Sequence, residues 1–416
     1  MDLKNYLCGR GVDVSRNKVL GSFDHHFIEL NNFYTLKDFY DYESQDFIYS
    51  KNLINETKFF RILVKEWMNF CKVGGHIIIE MRPNQILGLD ALVKECQLLI
   101  GEKGKIIESS CDPSTKNGLV VLKKIKSILE KGDSIDKWSF GILSGGFSDN
   151  QIDKSVNSML EQKIPHFEVI ICGPYNGQFK KNKNKNVKLI DFDSTLPWIT
   201  KKKNIICENA KYENLVVIHD HVSFEPNWYD GMKKYGNYFE VLTNVMHDPL
   251  GRRALDWITY GIPLRPFSKY PFTGAGGSLD YADWDRNVNI AALCIIKKSV
   301  WKRCPWDERL LLWQAEDMKI SGDFYESGIV PRFNPHSNSM TIKKEWGDYI
   351  LNYKFNKYKL GRATSPSLKI LLTFYMKNFI YNRFGVYLKR PDAHNEMQRT
   401  FLVPMISKRT KTNKGN

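Results

Sequence analysis

The residues best suited to chemistry sit where an apolar run stops. Leu215 to Ile218 is the length of a buried strand, and it ends on His219-Asp220-His221, two imidazoles flanking a carboxylate. Both groups ligate divalent cations, and parallel α/β sheets place ligands at such carboxyl ends of strands. Alone, the triplet reads equally well as a strand leaving the core into a polar loop. Two flanking features weight the first reading. Upstream is a basic, helix-like stretch from Trp198 to Ala210 that carries Lys201, Lys202 and Lys203. Downstream is the acidic pair Glu316-Asp317. A cation site, a basic segment and a later carboxylate pair are the parts needed to move a group from a diphosphate donor.

The surrounding pattern supplies elements to position these residues. Trp138 to Gly146 reads as a strand ending in a glycine turn, followed by a helix over Asn150 to Gln162. Phe167 to Gly173 and Val187 to Asp193 read as the next two strands. With the basic helix and the Leu215–Ile218 strand, this alternation predicts a mainly parallel sheet. Ile290 to Ile296 is a later strand, and Lys297 to Trp301 begins a helix beyond it.

Six pieces in order carry a resemblance: Ser144-Gly145-Gly146, Cys172-Gly173-Pro174 with Asn176, Lys203-Asn204, His219-Asp220-His221, Trp306-Asp307-Glu308 and Glu316-Asp317. Over about 138–345 the chain resembles the family 2-like GT-A glycosyltransferases. The resemblance implies a nucleotide-diphospho-sugar transferase fold, with Ser144, Gly145, Gly146, Gly173 and Asn176 around the nucleotide base. Lys203 and Asn204 would meet the diphosphate, leaving Lys201 and Lys202 on a solvated face. Asp220 would lie by the ribose and His221 on the cation, with His336, in a loop, as a further ligand. Because imidazole suits Mn²⁺ better than Mg²⁺, Mn²⁺ is the expected cofactor, with Mg²⁺ second. Asp317 would accept the proton of the attacking hydroxyl in an inverting displacement, and Glu316 would orient the acceptor. The segment Met246 to Arg253 and the loop Phe272 to Ser278 have no counterpart in the pattern, and a glycine-rich, aromatic insertion suits acceptor recognition or a lid. Asp248, Arg252 and Trp313 are the candidate acceptor contacts.

The first 135 residues read differently. Strands at Gly9–Ser15, Asp46–Ser50 and Ile77–Glu80 alternate with helices at Glu56–Cys71 and Leu89–Ile100. Two further strand-like runs, Lys105–Ser109 and Leu119–Lys124, close the segment. The strand holding Asp46, the turn Val73-Gly74-Gly75 and the closing hairpin resemble a Rossmann-like class I S-adenosylmethionine methyltransferase. That family binds its cofactor over a glycine-rich loop, whereas here Asp13-Val14 runs into Ser15-Arg16-Asn17-Lys18. Side chains there would crowd the methionine moiety, so S-adenosylmethionine is not an expected cofactor and the domain is read as degenerate. The polar stretch Lys131 to Asp136 marks the boundary, giving domains at 1–135, 136–345 and 346–416.

The chain has 416 residues, a formal charge of +15, 42% hydrophobic and 13% aromatic residues. That balance suits a folded protein with anionic partners. A UDP- or GDP-linked sugar is favoured, and nucleic acid is excluded by the lack of any recognised binding signature. Eight dispersed cysteines without a C-x-x-C suggest buried thiols in a reducing compartment. No signal-peptide core or long apolar run occurs, so a cytoplasmic location is expected. Trp346 to Lys389 reads as basic amphipathic helices, suited either to the inner membrane face or to packing on the catalytic domain. From Lys408 a disordered tail is expected.

The expectation is therefore a glycosyltransferase acting on a glycan or lipid-linked glycan in surface polysaccharide (capsule or lipopolysaccharide) synthesis. Two rivals are a bifunctional glycosyltransferase and methyltransferase, and a non-catalytic glycan-binding or scaffolding subunit.

Overall fold

Two main sheets organise the protein. The computed structural model describes residues 3–15, 20, 24–25, 36–37, 39–54, 60–84, 87–146, 149–174, 184–251, 257–259, 275–276, 287–289, 292–312, 314 and 316–341. The expected C-terminal helices and tail, and the loop Phe272 to Ser278 apart from a two-residue strand at Ala275–Gly276, lie outside the described residues, as do Asn176, Arg252 and Trp313. Among the described residues no helix is long and apolar enough to cross a membrane.

The first sheet takes β1 (Gly11–Asp13), β2 (Asp24–His25), β3 (Gln45–Lys51), β4 (Cys71–Met81), β5 (Gly104–Cys111) and β6 (Gly118–Lys124), in the order β2-β1-β3-β4-β6-β5. The first four run parallel, and β6 runs against both β4 and β5, closing the sheet with an antiparallel hairpin. Helices α1 (Phe60–Phe70) and α2 (Leu89–Ile100) cover one face, where Ile62, Leu63, Trp67, Leu92 and Cys96 pack on Ile48, Ile77, Ile79, Val120 and Leu122. The glycine turn expected at Val73-Gly74-Gly75 lies inside β4. Its register with β3 shifts there, and Gly74 takes a φ of +90°.

The second sheet is built from β7 (Lys137–Leu143), β8 (His166–Gly173), β9 (Val187–Asp191), β10 (Asn214–His219), β11 (Val222–Phe224), β12 (Val241–His247), β16 (Leu293–Lys297) and β17 (Pro331–Thr341). Its order is β11-β17-β12-β16-β10-β7-β8-β9, and only β16 and β11 oppose the common direction. The runs read as buried strands are apolar at successive positions because both faces are covered. Helices α3 (Asp149–Leu160) and α5 (Trp228–Tyr235) lie over Phe140, Ile142, Val216 and Ile218. Helices α4 (Ile199–Asn209), α6 (Lys298–Arg303) and α7 (Glu316–Glu326) lie over Leu143, Leu215, Val217 and Ile296. Three short strands, β13 (Trp257–Thr259), β14 (Ala275–Gly276) and β15 (Asn287–Asn289), form a separate small sheet within the insertion after β12.

The two sheets meet at the end of the second one where β12 and β17 begin. There Arg332 pairs with Glu66 at 3.0 Å, both nearly fully buried. Arg61 donates to Glu95 and to the Tyr325 carbonyl, and its guanidinium lies 3.7 Å from the Tyr325 ring centroid. Tyr42 stacks on Tyr238 at 4.0 Å, and Val330 joins the apolar core of the first sheet. The polar stretch read as a boundary is tied down as well. Buried Lys297 bonds Asp133 at 2.7 Å together with Asn214 and Asn237, and Asn214 donates to the Ser134 and Lys137 carbonyls.

Candidate functional site

At the opposite, carboxyl end of the parallel strands, two tight turns come together. Gly146 has a φ of +83°, and its amide donates to Ser144 Oγ at 3.0 Å. The Ser144 amide donates to the Cys172 carbonyl. A Cβ on Gly173 would stand 2.3 Å from the Ser144 oxygen, so only glycine lets the ends of β7 and β8 approach so closely. The expected nucleotide turns are therefore neighbours, as a base pocket requires.

Helix α4 then distributes its three lysines. Successive helical residues point about 100° apart, so each finds a different neighbour. Lys201 pairs with Glu308 at 2.9 Å. Lys202 donates to the Ser144 carbonyl at 2.7 Å, and its ammonium is held below the usual lysine range by burial, an effect opposed by Cys172, Asp220 and Asp193. Lys203 is buried against Glu316 at 3.2 Å and lies over the Trp306 ring. The lysine expected on the diphosphate thus faces the acidic pair, and of the two expected in solvent Lys201 pairs with Glu308 while Lys202 lies among the strand ends. Asn204 also departs from its expected donor role. It donates to the Trp306 carbonyl and to Glu308, and accepts from the Trp301 ring and the Trp306 amide. It is a bracket for the loop carrying Trp306-Asp307-Glu308, which Trp198 and Thr200 also hold through the Glu308 and Leu310 carbonyls. In that loop Arg309 holds the Asp307 carboxyl down at about 2, and Glu308 also lies below the usual range, burial being outweighed by Lys201 and Asn204.

Strand β10 delivers the His-Asp-His turn as expected. His221 is buried, with Nδ1 3.5 Å from Asp220 Oδ1, and the His219 and His221 rings meet edge-on at 5.4 Å. His336 does not join them. It lies not in a loop but in the bulge of β17. Thr341 is the residue opposite Val222, and Asn338 is already three residues along, about 10 Å at roughly 3.3 Å per residue. Beyond that, the His336 carbonyl abuts Gly231 of α5, where a Cβ would meet it at 2.2 Å. Among the described residues no group of three His, Cys, Asp or Glu side chains is placed to hold a metal. Asp248 is fully buried and accepts from the Leu250 amide in its own turn, which makes it a poor acceptor contact.

The acidic pair opens α7, where carboxylates are favoured by the helix dipole. Glu316 is buried on Lys203, and Asp317 is half-buried. The structure thus gathers Ser144, Gly146, Gly173, Lys202 and Asp220, and braces the start of α7 from the same helix, α4. Lys202 could not be chosen from sequence, because three adjacent lysines look alike until the helix register is known.

No family model and no curated protein matches the chain. Solved structures with detectable likeness include S. aureus TarS residues 1–349, at 14% identity and a TM-score of 0.34, covering 52% of this chain and 64% of that one. TarS 1–349 in complex with UDP-GlcNAc gives 16% identity, a TM-score of 0.35 and coverage of 51% and 60%. GalNAc-T7 with UDP, GalNAc and Mn²⁺ gives 15%, 0.37, and 63% and 54%. The chain therefore spans less than two thirds of each of these proteins.

Proposed function

We propose that the chain transfers a sugar from a nucleotide-diphosphate donor to a glycan hydroxyl. One observation carries this reading: the two glycine turns, Lys202 and Asp220 converge at the carboxyl ends of parallel strands, and α4 links them to the acidic start of α7. The turns would admit the base, and Lys202 would bring its ammonium to the diphosphate. Asp220 and His221 fit a divalent cation that takes its remaining ligands from the donor's phosphates, a common arrangement for Mg²⁺-type sites, and the imidazole favours Mn²⁺. Such an ion, when bound, would supply positive charge against the leaving diphosphate.

At the start of α7, Asp317 would accept the proton of the acceptor hydroxyl as its oxygen bonds the anomeric carbon and the bond to the diphosphate breaks. We assign Glu316 to holding Asp317 in place through Lys203, rather than to the acceptor. The inverting outcome and a surface-glycan product follow from the resemblance alone.

We read the first sheet as methyltransferase-like without its cofactor. The antiparallel closing hairpin supports the fold, and Asp13 supports the loss: its carboxylate is taken up by the Ser15 and Leu20 amides.

Calorimetry against UDP and GDP, with Mn²⁺ or EDTA, tests the donor site. Metal-dependent binding that disappears in Asp220→Ala/His221→Ala is expected. Absence of nucleotide binding under every metal condition would remove the transferase reading and favour a scaffolding subunit.

A further inference from the structure

A carboxylate–imidazole pair outside the donor site lies on the sheet face that carries α7. Glu225, the residue after β11, places Oε1 2.6 Å from Nδ1 of His247, the last residue of β12. A carboxylate only accepts, so that contact assigns a proton to Nδ1 and turns the Nε2 edge of the ring away from Glu225. Among the described residues neither side chain has another hydrogen-bonding partner, and both are about a quarter exposed, at 24% for His247 and 29% for Glu225.

Strand alternation fixes the side of the sheet. Leu242 and Met246 lie in the core under α3 and α5, and Asn244 bonds the ring nitrogen of Trp228 there. The odd-numbered residues of β12 therefore face the other way, where Val241 packs with Ile320 and Phe324 of α7. By the same alternation His219, following Leu215 and Val217, ends β10 on this face. His247 ends β12 two strands away and two residues further along, about 12 Å at roughly 4.8 Å per strand and 3.3 Å per residue. Half-buried Asn338 and Met340 of β17, in register with Val245 and His247, lie between His247 and Glu225. An oriented imidazole, a carboxylate, an amide and a thioether on an accessible strand face supply hydrogen-bond partners for hydroxyls and an apolar surface for sugar C–H groups.

We propose that His247 and Glu225 bind a hydroxyl of the acceptor sugar and so fix how the acceptor enters the cleft. The proposal rests on the transferase reading for the word acceptor, but the sugar site is testable without turnover. His247→Gln and Glu225→Gln are titrated with a panel of p-nitrophenyl hexosides, followed by the histidine Cε1–H resonances. Wild type is titrated in parallel, and UDP and GDP affinities are measured by calorimetry. The His247 resonance, assigned by its absence in His247→Gln, should move on adding a hexoside, and Kd should rise at least tenfold in both variants while nucleotide affinity stays unchanged. Hexoside affinity unchanged in the variants overturns the proposal. So does a wild type that binds UDP or GDP but no hexoside, which leaves the transferase reading standing. If no nucleotide binds, that reading falls, and hexoside binding lost in His247→Gln still upholds the sugar site. Binding of neither class overturns both.

Discussion

Replacing Arg332 with methionine tests whether the two sheets form one cooperative body. Glu66, only 3% exposed, would keep the Leu36 amide at 3.3 Å as its hydrogen-bond donor and lose the guanidinium at 3.0 Å. Breaking one side of a buried ion pair costs about 3–5 kcal/mol, because the remaining charge stays desolvated. For domains of 150–250 residues each 1 kcal/mol lowers the melting midpoint by about 2–4 °C, so a drop of about 6–20 °C is expected. Adding Glu66→Leu should recover most of it, since an apolar pair of similar volume is often neutral against a buried ion pair. The assay is urea and thermal unfolding followed by far-UV circular dichroism and by fluorescence of Trp67, the first sheet's only described tryptophan, isolated by Trp→Phe changes elsewhere. Coincident transitions that shift together are expected. A shift below about 1 kcal/mol, or loss of one transition while the other stays in place, would refute the idea that this interface couples the sheets.

Three further outcomes follow from contacts already described. Burial holds the Lys297 ammonium down at about 8 despite Asp133, so between that value and the ordinary lysine pKa the unfolded chain binds more protons than the fold. Stability should therefore rise with pH from about 8 toward 10 in urea titrations, and Lys297→Met should remove this rise. Lys202→Ala should weaken UDP or GDP binding by roughly 10–100-fold, the value of a hydrogen bond to a charged group, in calorimetry with Mn²⁺. Asp317→Asn should leave that binding intact while lowering transfer to sugar acceptors by about 10²–10⁴-fold in a release assay for the nucleoside diphosphate.

Much of the strand and helix order was legible because apolar runs and glycine turns are local signals. The β10 run and its His-Asp-His turn fell where the pattern placed them, and α4 starts and stops within one residue of the expected span. What the sequence hid depends on register and distant pairing. The three lysines of α4 could not be ranked, since their partners come from Ser144, Glu308 and Glu316, far along the chain. His336 looked like a loop ligand because Pro335 and the polar residues around it resemble a turn, whereas the structure uses them as a bulge in β17 packed on α5. The Glu225–His247 pair spans β17, and nothing in either local sequence announces it. Asn204, read as a donor contact, holds the Trp306 loop instead, because a buried amide must find partners wherever they come.

Helix α4 has a further consequence for how the site can vary. Lys201, Lys202 and Lys203 share one rigid backbone, so the loop of Glu308, the strand-end cluster and the acidic start of α7 have a common mechanical reference. A small turn of this helix about its axis displaces all three at once. The site therefore has a single positional tolerance in place of three, and a change that re-aims one lysine must be answered on the other two sides before the machinery is again in alignment.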